Sequence, residues 1–464
     1  MSIFKSAISY SLSNLMIKFG GIVILPFLTR ILTPEEFGTI GLLVTISSVL
    51  TVILGLGLYN PQNNMQVKNE GFSDYLISQF ILISCNIILV FIIGLFVLKS
   101  QYIIDYFSKN NIDNAQLILV YLVSVISSIN VIVSSYHKMN GRYYLVSLSS
   151  IINFVVFYGM TFLLVGFYKL GIEGYLYGYV TSQLTLLLIQ IKEYFSSSIG
   201  GYPSIHNIKY AFKNGIPVFF AELSGRINEV NDRLILAKYI TSAEMGLYIL
   251  ASTGGRALQV LTSGFINTMY PRIYRNPICE KNKALLELFF IPLSFVVILA
   301  QISSQYVFPL IFSNEYSEVC YFFSWLLPAS AMQYLYFIDH YYHVREKSSY
   351  VTHVSFWMTI FSIVSSIILV PYWGVLGAVV CCGASLLFRF VILTQGVKRD
   401  GEVVFNIYLI TFFVIIQYVY PVLMYLKLGS WMLDCLIFLI VLGALLISSI
   451  SIKKQLSIDY EDKY

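Results

Sequence analysis

The chain has 464 residues, of which 57% are hydrophobic and only 11% are Asp, Glu, Lys or Arg, against about 25% charged in a soluble domain. So few charges cannot cover a water-facing surface, and apolar runs of about 20 residues recur from end to end. Composition therefore excludes a soluble protein, and the net charge of +5 is not read as a nucleic-acid surface.

Fourteen candidate spans follow in chain order, each able to cross a hydrocarbon core of about 30 Å: residues 7–30, 37–58, 76–98, 115–136, 145–167, 172–191, 215–239, 247–269, 285–311, 319–342, 351–370, 375–394, 403–426 and 431–452. The expected fold is an all-α polytopic membrane protein with about 14 transmembrane helices. Span 215–239 is the least hydrophobic, so thirteen is the alternative count. The first span is long, is interrupted by Lys18 and lacks a small-residue cleavage pattern, so it is expected to stay as an anchor. With the N-terminus cytoplasmic, eighteen Lys and Arg fall in inner segments, six in outer segments and five within spans. Positive charge is retained on the cytoplasmic side during insertion, so both termini are expected there.

Cys85, Cys381, Cys382 and Cys435 fall in spans, Cys320 near an outer end and Cys279 in an inner loop. They show no metal-ligand spacing, so they read as small apolar side chains, and neither metal nor cofactor is expected. There is no G-x-x-x-x-G-K-[ST] cradle for a nucleotide, and the inner loop near 192–214 is too short for a soluble catalytic domain.

Thr33-Pro34-Glu35-Glu36-Phe37-Gly38 and Thr241-Ser242-Ala243-Glu244-Met245-Gly246 share T-x-x-E-x-G at an offset of 208 residues. Each follows the first span of a half, and the same offset places Lys18 opposite Arg226 and Asn14 opposite Glu222. Pro61 and Pro271 differ by 210. The expected organisation is an N-terminal six-helix half at 1–195, a cytoplasmic linker at 196–214, a second six-helix half at 215–400, and two additional helices with a tail at 401–464. An even number of spans per copy gives a parallel repeat about an axis along the membrane normal, with the substrate between the halves.

The stretch Arg30-Ile31-Leu32-Thr33-Pro34-Glu35-Glu36-Phe37-Gly38, with Asp232-Arg233-Leu234-Ile235-Leu236 and Glu244-Met245-Gly246-Leu247-Tyr248, resembles the signatures of bacterial polysaccharide flippases. These belong to the multidrug/oligosaccharidyl-lipid/polysaccharide superfamily. The resemblance implies alternating-access movement of an undecaprenyl-diphosphate-linked oligosaccharide, of O-antigen or capsule type, from the cytoplasmic to the periplasmic leaflet of the inner membrane. The implied partners are that lipid-linked substrate, the phospholipid bilayer, and a polysaccharide polymerase with its chain-length regulator. One departure from the family pattern is the acidic, polar middle of the seventh span.

Charges inside a bilayer cost at least about 2.5–3.5 kcal/mol on insertion scales and should face a cavity or a partner. Glu222, Arg226, Glu229 and Arg233 follow one another at 4, 3 and 4 residues, which at about 100° per residue places them on one helix face, with Asn228, Asn231 and Asp232 widening the stripe. As i,i+4 pairs, Glu222–Arg226 and Glu229–Arg233 would neutralise each other; opened, they would bind phosphate. Lys18, Arg226, Arg256, Asn14 and Arg233 are the expected substrate-binding residues, since lysine offers a point charge and arginine a bidentate fork to a diphosphate. Glu222, Glu229 and Asp232 are the expected ion-coupling carboxylates. Asp339, His340 and His343 read either as a proton relay or as an interfacial cluster beside Arg345, and Arg389 is expected to snorkel to the inner surface. Pro26 and Pro217 mark positions for helix bends.

Within the superfamily the alternatives are a multidrug or a lipid II exporter. A membrane polysaccharide polymerase is the competing enzyme class, but no outer loop exceeds about 20 residues, so a transporter rather than an enzyme is expected.

Overall fold

A computed structural model describes residues 21, 24–68, 71–275, 280–345, 347–399, 407–426 and 443. Every regular element among them is helical, and the chain is an all-α multi-pass membrane protein. Contacts divide it into two compact units, Met1–Gly246 and Leu247–Tyr464.

The first unit contains α1 (24–31) and then α2 (Pro34–Gly55), α3 (Tyr59–Lys68), α4 (Phe72–Val97), α5 (Gln101–Lys109), α6 (Asn114–Met139), α7 (Tyr143–Thr161), α8 (Gly171–Ser196) and α9 (Ile205–Tyr239). A single π turn, Phe162–Phe167, extends α7. The expected spans at 37–58, 76–98, 115–136, 145–167 and 172–191 are thus realised, while α9 begins ten residues before the expected 215. The short polar helix α3 and the amphipathic α5 were not among the expected spans, because neither is apolar enough to cross a membrane.

The repeated T-x-x-E-x-G motif is a pair of helix starts. The Thr33 N–H donates to Glu36 Oε2 at 3.0 Å and the Glu36 N–H donates back to Thr33 Oγ1 at 3.2 Å. Thr241 and Glu244 repeat this reciprocal pattern at 2.9 and 3.2 Å, beginning α10 (Ser242–Arg275). Each box satisfies backbone donors that a helix leaves bare at its first turn. The glycines have a different task. A Cβ on Gly38 would overlap the Ser242 carbonyl, and one on Gly246 would overlap the Pro34 carbonyl. Both contacts lie within the first unit and join the two copies of the motif reciprocally, so the motif encodes two capped helix ends that cross with their backbones touching.

Elsewhere in this unit, Gly174 and Gly178 bring α8 against α7, where a Cβ on Gly178 would stand 2.7 Å from Thr161 Oγ1. Polar groups of α3 are consumed internally: Gln62 is fully buried, donates to the Ile132 carbonyl at 3.1 Å and accepts from the Tyr194 hydroxyl at 3.0 Å. In contrast, α4 leaves Ile88, Phe91 and Phe96 exposed, as suits a helix solvated by lipid.

The second unit comprises the rest of α10, α11 (Glu280–Ile311), α12 (Val319–Met332), a 3-10 stretch Gln333–Phe337, α13 (Ile338–Val344), α14 (Ser348–Arg399) and α15 (Ile407–Tyr425). The expected tenth span is therefore broken into three helical pieces. α14 carries the eleventh and twelfth spans as two limbs joined at Gly374, whose φ of 55° is left-handed. The limbs meet at Phe361 and Phe388, stacked with centroids 4.9 Å apart. Tyr372 and Trp373 stand exposed at that joint, in keeping with an interfacial aromatic position. Buried Gln301 on α11 donates to the carbonyls of Ser324 and Gln417, at 2.8 and 3.0 Å, tying α11 to α12 and α15. Apart from residue 443, the expected fourteenth span, 431–452 with Trp431 and Cys435, lies outside the described residues, as does Cys279.

Candidate functional site

α9 is a 35-residue helix with a polar middle, and its setting in the first unit decides what its charges can do. Ser204 caps its start through the His206 N–H. Its far end is capped by side chains of α5 and the residue that follows it. The Tyr106 hydroxyl donates to the Leu234 carbonyl at 3.1 Å, Asn110 Nδ2 to the Ala237 carbonyl at 3.3 Å, and Lys109 Nζ to the Lys238 carbonyl. The Ala237 and Lys238 carbonyls are among the last four, which have no partner within the helix itself. Burial lowers the proton affinity of the Lys109 ammonium, with the Glu244 carboxylate opposing that shift.

Pro217 lies inside α9, and the joint between α2 and α3 packs beside it. There Leu56 and Gly57 are both left-handed, and a Cβ on Gly57 would stand 2.7 Å from the Gly215 carbonyl and 2.8 Å from the Phe219 nitrogen. The first residue of α3 then reaches α9 above the proline: the Tyr59 hydroxyl donates to Glu222 Oε1 at 2.8 Å.

Arg226 does not take up the expected i,i+4 pairing with Glu222. It bonds Glu229 instead, NH1 to Oε2 at 2.8 Å, while Glu222 accepts from Tyr59. The two side chains of this pair remain 41% and 63% exposed. Asn231 and Arg233 are buried, and Asp232 is half-buried. The stripe thus runs from an open ion pair at its centre to a buried end.

Lys18 and Asn14 lie outside the described residues. Arg256 is on α10 in the second unit, with its side chain exposed. The structure therefore brings together Glu222, Arg226 and Glu229 on one helix with Tyr59 from α3. Tyr59 was missed because its relevance depends on a 163-residue separation. Also missed was an aromatic group on α7 and α8, in which Phe157 meets Tyr158, Tyr175 and Tyr179 at centroid distances of 4.7, 5.2 and 5.6 Å. Its signal was present in Gly174-Tyr175-Leu176-Tyr177-Gly178-Tyr179: glycines four apart admit α7, and tyrosines four apart sit on the adjoining face. Arg226 is within Coulombic reach of Tyr179.

Arg389 is the second correction. Instead of snorkelling, it is buried in the second unit, with its NH2 2.6 Å from Asp339 Oδ2. Asp339 accordingly does not join Arg345, which stacks on the Tyr341 ring at 4.4 Å. A partner at hand removes the need to reach water, which is what drives snorkelling.

Among the described residues no group of three or more His, Cys, Asp or Glu is placed to hold a metal ion. The open feature is an arginine whose present partner is the carboxylate of a flexible glutamate side chain, and a phosphate group can replace such a partner with a bidentate bond. Residues 3–276 match a sequence family described as polysaccharide biosynthesis protein. Two solved structures align over most of the chain. Lipid II flippase MurJ in an inward closed conformation is 16% identical, with 97% of this chain and 100% of that chain covered and a TM-score of 0.68. An inward-facing multidrug resistance MATE family transporter of the MOP superfamily is 13% identical, with coverage of 83% and 98% and a TM-score of 0.60. At these identities the likeness is one of fold. Comparison with curated protein sequences gives no match.

Proposed function

The chain belongs to the polysaccharide biosynthesis protein family, and from that premise we propose that it is a flippase for an undecaprenyl-diphosphate-linked oligosaccharide repeat unit. It would carry this O-antigen or capsule-type unit from the cytoplasmic to the periplasmic leaflet by alternating access. The observation that carries this reading is the Arg226–Glu229 pair, a charged and exposed couple in the polar middle of the long helix α9. An intramembrane cation that stays accessible would serve a pathway rather than packing, and membership of a polysaccharide biosynthesis family supports a polysaccharide intermediate as the cargo. Their diphosphate is the anionic group that an arginine fork fits.

In this reading Arg226 and, by the 208-residue offset, Lys18 grip the diphosphate, with Asn14, Arg233 and Arg256 as further polar contacts. Glu222, Glu229 and Asp232 are the carboxylates that release and recover those cations and bind the coupling ion. The copies 1–195 and 215–400, joined by 196–214, would rock about the site while 401–464 adds two helices. The protein would sit in the bacterial inner membrane with both termini cytoplasmic, supplying a polymerase and its chain-length regulator, and would make or break no covalent bond itself.

The test is to delete the gene and identify by mass spectrometry the polyprenyl-linked glycan that accumulates on the cytoplasmic leaflet, then to complement with Arg226→Ala. Single repeat units held inside, and loss of surface polysaccharide at normal protein abundance in the variant, are expected. Repeat units already outside, or normal surface polysaccharide in both Arg226→Ala and Lys18→Ala, would overturn the proposal.

A further inference from the structure

Arg226 answers the charge of a diphosphate, whereas the sugar joined to that diphosphate needs a different kind of wall. α8 supplies one within electrostatic reach of the arginine. Tyr175, Tyr179 and Gln183 lie four residues apart, so they stand in a row on one face of α8 at intervals of about 6 Å. Gly174 and Gly178, each one residue before a tyrosine, put the adjoining face of α8 against α7 and its π turn. The far end of the row meets α6, where Asn130 Nδ2 donates to the Gln183 carbonyl at 2.9 Å and to its Oε1 at 3.0 Å. Tyr179 is the member of the row within Coulombic reach of Arg226 on α9.

The rings are held in place and remain accessible. Phe157 on α7 packs against Tyr175 at a centroid distance of 5.2 Å and an angle of 88°, and against Tyr179 at 5.6 Å and 61°. Contacts of this inclined kind fix the tilt of both tyrosine rings. Tyr175, Tyr179 and Gln183 are half-buried rather than buried, so part of each stays open to a ligand. The wall is also free of formal charge. No Asp, Glu, Lys or Arg lies between Arg142 and Lys169, which bracket α7, or between Glu173 and Lys192, which bracket most of α8.

That composition matches one ligand chemistry. A pyranose ring has an apolar C–H face and a rim of hydroxyl groups. Aromatic side chains receive the apolar face, with the tyrosine hydroxyl as a polar handle, and the glutamine amide offers two N–H donors and a carbonyl acceptor to the rim. A charged sugar is a poor match, because an ion without a countercharge in a wall of rings and amides costs far more than a hydrogen-bonded hydroxyl.

We propose that Tyr175, Tyr179 and Gln183 form a sugar-binding row that receives the neutral sugar joined directly to the diphosphate. This rests on the reading of the chain as a flippase that holds the diphosphate at Arg226. The arginine and the row then recognise different parts of one ligand. Arg226 grips any polyprenyl diphosphate, loaded or bare, and the row favours the loaded one. A lipid carrier that has already given up its glycan loses the hold of the row and competes poorly for the site, which keeps the transporter from being filled by empty carrier.

Two probes test this on the full-length protein in lipid nanodiscs: the polyprenyl-linked glycan isolated from the deletion strain, and bare undecaprenyl diphosphate. The unsubstituted protein should bind the glycan-bearing lipid about tenfold more tightly, the order that two ring contacts supply. Tyr175→Leu with Tyr179→Leu should bind both lipids alike, whereas Tyr175→Phe with Tyr179→Phe keeps the rings and should keep most of the preference. Arg226→Ala should weaken both lipids by the same factor, a result that a merely structural role for the tyrosines would not separate from theirs. Fragmentation of the trapped glycan in the mass spectrometer should find an uncharged sugar at the diphosphate. Equal binding of the two lipids by the unsubstituted protein would overturn the proposal whether or not any variant folds. A leucine pair that retains the preference, or a charged sugar at the diphosphate, would overturn it as well. All three results leave the flippase reading standing, whereas absence of trapped glycan in the deletion strain would remove that reading and the sugar row with it.

Discussion

Replacing Gly38 with alanine sets a helix-propensity gain against a backbone collision, and the structure says which wins. Alanine in a helix interior is favoured over glycine by about 1 kcal/mol. At Gly38, however, the new methyl would meet the Ser242 carbonyl, with the Gly246 nitrogen 2.8 Å and the Ser242 carbonyl carbon 3.1 Å away. These are backbone atoms and cannot rotate aside, so α2 and α10 must move apart at their starts. Overpacking of this kind costs about 1–3 kcal/mol, giving a net loss of up to roughly 2 kcal/mol. Gly159 in α7, where an added methyl would have nothing within 4 Å, is the control and should gain up to about 1 kcal/mol as alanine. Gly246→Ala meets the reciprocal carbonyl of Pro34. Once either substitution has opened the crossing, the second should cost about 1 kcal/mol less than it does alone. Reversible unfolding in mixed detergent micelles, followed by tryptophan fluorescence, measures all four variants. If Gly38→Ala behaves like Gly159→Ala, the close crossing inferred for the repeat motif is wrong.

Three further variants test neighbouring parts of the first unit. Tyr59→Phe removes the hydrogen bond to Glu222 and should cost about 1 kcal/mol in the same unfolding experiment, with Tyr59→Leu no better than Tyr59→Phe if the hydroxyl is the part that matters. Asn110→Ala strips a cap from the Ala237 carbonyl and a bond to the Tyr106 carbonyl; amide exchange over 234–240 should rise, with a stability loss of about 1–3 kcal/mol. Gln62→Leu leaves the Ile132 carbonyl and the Tyr194 hydroxyl without their present partner, at a cost of about 1–3 kcal/mol, whereas Gln62→Leu with Tyr194→Phe should recover part of that loss.

The spans were legible because lipid as a solvent demands about 20 apolar residues per crossing, a pattern local to each segment. Thus α4 and α6 fall within a few residues of their expected bounds. The repeat was legible for a related reason: Thr33 and Glu36 bond each other within one turn, so the motif is complete in six residues and survives at a fixed offset. Pairings between distant segments were not legible. Glu222 had Arg226 four residues away and an equally good acceptor role for Tyr59, and only the fold of α2 and α3 against α9 selects between them. Arg389 looked like a residue near a membrane surface because Asp339, 50 positions earlier, has no sequence relation to it. The break of the tenth span at Gln333–Phe337 leaves apolar composition intact, so hydropathy passes over it.

The Arg226–Glu229 and Arg389–Asp339 ion pairs differ in what it costs to separate them. Arg226 and Glu229 are bonded at 2.8 Å but are 41% and 63% exposed, and an exposed pair is worth roughly 0.2–1 kcal/mol. If Arg226 receives a diphosphate as proposed, so weak a pair would give way to it and re-form afterwards. Arg389 and Asp339 are bonded at 2.6 Å with 5% and 16% exposure, and removing one partner of a buried pair costs about 3–5 kcal/mol. That is too much for an incidental ligand to overcome. Within that proposal the weak pair suits recognition, where binding must be reversible, whereas the strong pair suits a lasting join between α13 and α14. If the costs were reversed, with the open pair rigid and the buried one loose, neither assignment would hold. A double-mutant cycle on each pair, read by unfolding free energy, distinguishes them directly: coupling below about 1 kcal/mol is expected for Arg226 and Glu229, and several times that for Arg389 and Asp339.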